Sequence, residues 1–208
     1  MADNRSKNKP GIYLLYILPV LLFIFAIYNA VEYFVCYNAV TKISEIKIEE
    51  YMRIKIYGSS YSGNGSTVSA TFSIIDSNGN EIAVIERSWS GSYLSVEFNK
   101  ISMAGKDFMF PARIFGSDHI LYSKKNNKKV TSLEKYYNDN SQCMLLGSGS
   151  TYNQRRYLYR ISRFATKNLP VIDFGFKNTY SVDLSACKTG VYYSILTDSF
   201  GNLILVQL

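Results

Sequence analysis

The stretch TVSATFSIIDSNGNEIAVIERSW, Thr67 to Trp89, decides the fold class. Val68, Ala70, Phe72 and Ile74 alternate with Thr67, Ser69, Thr71 and Ser73. A period of two puts the apolar side chains on one face of an extended chain and the hydroxyls on the other, as in a half-buried β-strand. DSNGN then breaks the pattern. Asp76 suits the first position of a type I turn, and Gly79 the left-handed position at its end. The apolar run resumes in NEIAVIERSW, so the stretch predicts a β-hairpin. YSILTDSFGNLILV, from Tyr193, repeats the pattern with Asp198 and Gly201 once Thr197 is counted as an insertion. Good turns converge on these residues, so the likeness needs no ancient repeat. The ligand pattern of a dedicated Ca²⁺ loop is missing.

Outward from this hairpin the chain is rich in strand signals. IKIEEYMRIKIYG sets Met52, Ile54 and Ile56 against Arg53 and Lys55. YLSVEFNKI, DFMFPARIFG, HILY, VIDFGF, YSVDLSA and VYYSILT read as further strands. Pro111 places its strand at an edge or a bulge, because proline donates nothing to a ladder. TSLEKYYND predicts a short helix capped by Thr131 or Ser132. From Thr151 to Lys167 the apolar spacing becomes helical. LILVQL, apolar on both faces, predicts an interior strand with the C-terminus tied down. The fold class that follows is mainly β, a sandwich or partly open barrel with one amphipathic helix, preceded by one N-terminal transmembrane helix.

That transmembrane helix rests on GIYLLYILPVLLFIFAIYNAV, Gly11 to Val31, which holds no charged residue. About 20 apolar residues span a bilayer core, and the run exceeds the short core of a signal peptide. Cleavage after Ala26, Ala30 or Ala39 would place Ile24, Tyr28 or Tyr37 where a small side chain is needed. The sequence therefore favours an uncleaved anchor over a cleaved signal. Tyr13 and Tyr16 at one end, and Tyr28, Tyr33 and Tyr37 at the other, suit the two interfaces. Arg5, Lys7 and Lys9 precede the span, whereas Glu32 follows it and the next cation is Lys42. Positive charge stays inside. The organisation predicted is a cytoplasmic basic tail over 1–10, an anchor over 11–35, a juxtamembrane linker over 36–44 and an extracytoplasmic β domain over 45–208.

Little in the composition points to catalysis. His119 is the single histidine, which excludes a multi-histidine metal site and Cys/His zinc spacing. Its neighbour Asp118 would point to the opposite face of a strand. LLGSGSTYN lacks the Gly-Lys-Ser/Thr of a phosphate loop, and DFG at 173–175 lacks every other kinase motif. Glu49 and Glu50 with Asp107 are carboxylates without diagnostic spacing. Trp89 reads as core. No cofactor or metal is expected.

Two features remain. An extracytoplasmic location would leave Cys143 and Cys187 free to form a disulfide, with two buried thiols as the alternative. The net charge is +7, and part of it clusters. Arg155, Arg156, Arg160, Arg163 and Lys167 surround the apolar stripe of the predicted helix, and Lys124, Lys125, Lys128 and Lys129 crowd one loop. These cations read as an ordinary solvated face, and the sharper alternative is a site for an anionic partner: lipid headgroups, a wall polymer or an acidic protein surface. Nucleic acid is not expected outside the cell. The function predicted is binding or scaffolding in the cell envelope or a membrane complex. The alternatives are a membrane-tethered enzyme acting on envelope material and an accessory subunit of a transporter or secretion assembly.

Overall fold

The computed structural model describes residues 10–44, 48–62, 65–117, 130–166 and 175–208. Antiparallel strands dominate it. Five form the first sheet: β1 (Glu50–Ser62), β2 (Gly65–Ile75), β3 (Glu81–Ser90), β10 (Tyr192–Thr197) and β11 (Leu203–Gln207), in the order β11-β10-β1-β2-β3. Four form the second: β4 (Tyr93–Met103), β5 (Lys106–Ser117), β6 (Thr131–Ser132) and β9 (Lys177–Asp183), in the order β6-β5-β4-β9. A small hairpin joins β7 (Asn138–Asp139) to β8 (Gln142–Cys143). The helices are α1 (Pro10–Lys42), α2 (Glu134–Tyr137) and α3 (Tyr152–Thr166), with a 3₁₀ turn at Met144–Leu146.

The two main sheets share one core, as in a β-sandwich. Val68, Ala70, Phe72 and Ile74 are buried, as are Met52, Ile54 and Ile56 across the ladder, where Ile54 faces Phe72 and Met52 faces Ile74. The period-two pattern thus lies on the inner face. Phe72 meets the Trp89 ring edge-on, with centroids 5.3 Å apart. Tyr51 of the first sheet does the same with Phe98 of the second, at 5.7 Å. Such pairs add to the burial of their area. Trp89 is a core residue, and its indole N–H donates to the Thr131 hydroxyl at 3.0 Å.

The two DSxGN loops have one geometry. The Asp76 amide donates to the Asn80 carbonyl at 2.8 Å and the Gly79 amide to the Asp76 carbonyl at 3.0 Å; the corresponding bonds at Asp198 are 2.9 and 3.1 Å. Each carboxylate accepts from the amides two and four residues on. Gly79 and Gly201 sit at φ 81° and 80° in the two loops, a region open to glycine at no steric cost. Their surroundings differ. Ser77 donates through its amide and its hydroxyl to the carbonyls of Leu145 and Leu146, at 2.8 and 2.9 Å, so the first loop is docked. The second carries Phe200 at its tip, 86% exposed.

Three local expectations meet a different or sharper outcome. LILVQL is not interior: β11 is an edge strand, with Ile204 and Leu208 exposed on its outer side. Apolar residues on both faces imply burial only when another strand is available to lie beside them. Thr131 and Ser132 cap no helix, since they form β6 and the residue before α2 is Leu133. Pro111 sits at a bulge, where Glu97 faces Arg113 and Phe98 faces Pro111.

Helix α1 is long and apolar enough from Ile17 to Lys42 to cross a membrane. It continues without a break to Lys42, through most of the segment expected as a linker. Cys36, Ala39, Val40 and Ile43 are buried in the domain core, whereas large apolar side chains from Ile17 to Val35 are exposed. His119, HILY, and most of VIDFGF lie outside the described residues, and so do Lys124, Lys125, Lys128, Lys129 and Lys167.

Candidate functional site: the joint of α1 and α3

Helix α3 starts at a reciprocal cap. The Gln154 side-chain carbonyl accepts from the Thr151 amide at 3.0 Å, and the Thr151 hydroxyl accepts from the Gln154 amide at 3.3 Å. This satisfies two donors that a helix start leaves open. Leu158, Ile161, Ser162, Phe164 and Ala165 are buried. The helical apolar spacing expected from Thr151 onward therefore holds at Leu158, Ile161, Phe164 and Ala165, while Tyr157 is only half-buried.

α3 runs antiparallel to the end of α1. Near its start, the Gln154 amide nitrogen donates to the Ser44 hydroxyl at 3.2 Å, and Lys42 lies 6.0 Å from the Tyr157 ring centroid. Near its end, Lys177 lies 4.3 Å from the Phe164 ring, and the adjacent Phe176 packs on Tyr33 with centroids 5.7 Å apart. The last turns of α1 are thus clasped between α3 and the start of β9.

The arginines divide. Arg156, Arg160 and Arg163 recur at spacings of four and three, which sets them on one stripe of the helix. Tyr152, one turn before Arg156, and Tyr159 share this stripe, and the Arg163 guanidinium is 5.9 Å from the Tyr159 ring. Arg155 turns aside and donates to the Gln142 side chain at 3.0 Å. The carboxylates of Glu50, Glu97 and Asp107 are taken by Arg53, Arg113 and Lys100. The stripe runs along α3, which starts beside Ser44 and ends beside Lys177, next to the Phe176 that packs on Tyr33.

Below the C-terminal end of α3, a groove of about 450 Å³ opens on the outer side of the second sheet. Glu97, Arg113, Asn99, Glu134 and Lys177 line it. Glu97 holds Arg113 through both carboxylate oxygens. Asn99 donates to the Ala165 carbonyl at 3.2 Å and accepts from Thr179 at 3.1 Å. Glu97, Arg113 and Asn99 are thus engaged by their neighbours. Among the described residues no group of three His, Cys, Asp or Glu could hold a metal. Glu50 and Asp107, weighed as a carboxylate pair, go to separate partners: Glu50 to Arg53 and Ser194, Asp107 to Lys100. The hydrogen bond from Arg53 holds the Glu50 carboxyl below its usual value against the cost of burial.

All three cysteines are free thiols. The Cys143–Cys187 bond is not formed. Cys143 is fully buried on β8 beside α3, and Cys187 is half-buried in the turn that follows β9. Burial pushes the Cys143 thiol up to about 12 and the Cys187 thiol up to about 11.

What sequence reading missed here is the joint itself. Cys36, Ala39, Val40 and Ile43 fall at spacings of three, one and three, the mark of a helix with one buried face. The signal was present but masked by the apolar run before it. No protein-family model, curated protein or solved structure matches this chain.

Proposed function

We propose that this chain is a single-pass protein of the cell membrane. Its N-terminus is cytoplasmic, α1 is an uncleaved anchor, and its β domain lies outside, in a binding or scaffolding role within the envelope or a membrane complex. The observation that carries this reading is the change of environment along α1. From Ile17 to Val35 most large apolar side chains are exposed, and from Cys36 onward one face of the helix enters the domain core. A soluble domain gains nothing from some five turns of exposed Leu, Ile and Phe, whereas lipid covers them at no cost. Tyr33 and Tyr37, stacked at 6.2 Å, mark the level of the interface.

The arginine stripe supports contact with anionic headgroups, since it runs beside α1 toward the bilayer. Each basic residue near such a surface contributes about 1 kcal/mol. Two measurements test the proposal. The protein should remain with membranes after carbonate washing, and protease added to intact spheroplasts should digest the domain and spare an N-terminal tag. Release by carbonate, or a protected domain, would overturn it.

A further inference from the structure

Leu203–Gln207 forms β11, the end strand of the first sheet. Among the described residues β11 pairs only with β10. The Leu208 amide donates to the Tyr192 carbonyl at 2.9 Å. In an antiparallel ladder alternate residues turn their N–H and C=O to the same side. Ile204 and Val206 therefore also turn theirs to β10, and Leu203, Leu205 and Gln207 turn theirs to the open side. Natural edges are blunted with charges, prolines or bulges. LILVQL has no charge and no proline, and its pairing with β10 shows no bulge.

This edge looks into a cleft of about 340 Å³ between β11 and β9, the outer strands of the two main sheets. Met109, Tyr180, Val182, Leu203 and Leu205 supply its apolar walls. We infer that β11 receives an extended segment of another polypeptide, which adds as a strand to the first sheet and places alternate apolar side chains in this cleft. Backbone donors and acceptors in a row are matched by another strand and by no small ligand. A second copy of the chain fits less well. Five edge residues offer far less than the roughly 800 Å² per partner of a stable complex. A single strand needs only the edge and the cleft.

The probe is a labelled peptide of six alternating threonines and valines with two lysines at each end, titrated into the full-length protein in detergent micelles. No bilayer takes part, so failure here leaves the anchor proposal to the carbonate and protease assays. The parent should bind saturably. Gln207→Pro removes an outward N–H and an exposed side chain, and proline is tolerated at such a position. It should weaken binding about tenfold, the effect of one lost hydrogen bond with its steric block, and leave the unfolding temperature unchanged. If that variant unfolds, the peptide decides. N-methylation of one alternate set of its amides should abolish binding, and N-methylation of the other set should not. No saturable binding by the parent up to about millimolar peptide overturns the inference. So does equal binding by a folded Gln207→Pro protein, or the same effect from both methylated sets. Self-association of the parent that the variant loses would assign the edge to a second copy instead.

Discussion

The ammonium of Lys106 lies 2.6 Å from the carbonyl oxygen of Ile43 and 3.1 Å from that of Val40. Both carbonyls belong to the end of α1, where a helix leaves acceptors open and carries partial negative charge. Lys106 opens β5, directly after the Ala104–Gly105 turn. The tip of a β-hairpin thus closes the end of α1, and helix and domain meet in direct contacts. Lys106→Met should destabilise the full-length protein by about 1–2 kcal/mol, since the carbonyls lose a charged donor in a partly buried place. Lys106→Arg should recover part of that. Thermal unfolding in detergent reads both, and an unchanged midpoint for Lys106→Met would mean that the cap contributes nothing.

The bond between Trp89 and Thr131 gives a second test. Both residues are buried, and the hydroxyl also accepts from Arg87 at 3.2 Å. Thr131→Val keeps the shape and removes the acceptor, leaving the indole N–H without a partner. A loss of about 1–3 kcal/mol is expected in chemical denaturation. Val on the exposed neighbour Ser132 should change stability far less.

The paired loops predict an asymmetry. Asp76→Ala and Asp198→Ala remove the same set of turn bonds, but only the Asp76 loop is docked on Leu145 and Leu146. Asp76→Ala should lower the unfolding midpoint more than Asp198→Ala. Equal shifts would show that the docking adds nothing to the turn.

Glu50 sets an acid dependence. Its carboxyl is held below the ordinary 4.5 chiefly by the Arg53 hydrogen bond. A depressed folded value stabilises the fold above the unfolded value, and that gain is lost as pH falls through the folded one. Glu50→Gln should therefore cost up to about 1 kcal/mol at neutral pH, and the gap to the parent should close as pH drops below about 4.5. A gap that persists at pH 2 would assign the effect to packing.

The thiols should label in order. Cys187 is half-buried and Cys143 fully so, and their raised values leave little thiolate at neutral pH. In the folded protein Cys187 should react slowly, at a rate that rises with pH, while Cys143 and Cys36 stay protected. After unfolding without reductant all three should label. Protection of Cys143 and Cys187 together at that step would restore the disulfide.

Among the described residues, sequence alone determined the long strands and the two DSxGN turns. Thr67–Trp89 announces its period and its Asp and Gly because strand faces and left-handed positions are local matters, fixed within a few residues by sterics and solvation. The helical face of Leu158, Ile161, Phe164 and Ala165 is local in the same way. Tertiary structure decided what lies beside each element. LILVQL has the composition of an interior strand and stands at an edge, because the number of neighbours in a sheet depends on distant segments. Cys36–Ile43 look like the continuation of an anchor and are core, because β5 and α3 come to meet them from more than sixty residues away. Arg155 and Arg156 are adjacent in the chain, and only the fold gives the first to Gln142 and leaves the second on the open stripe.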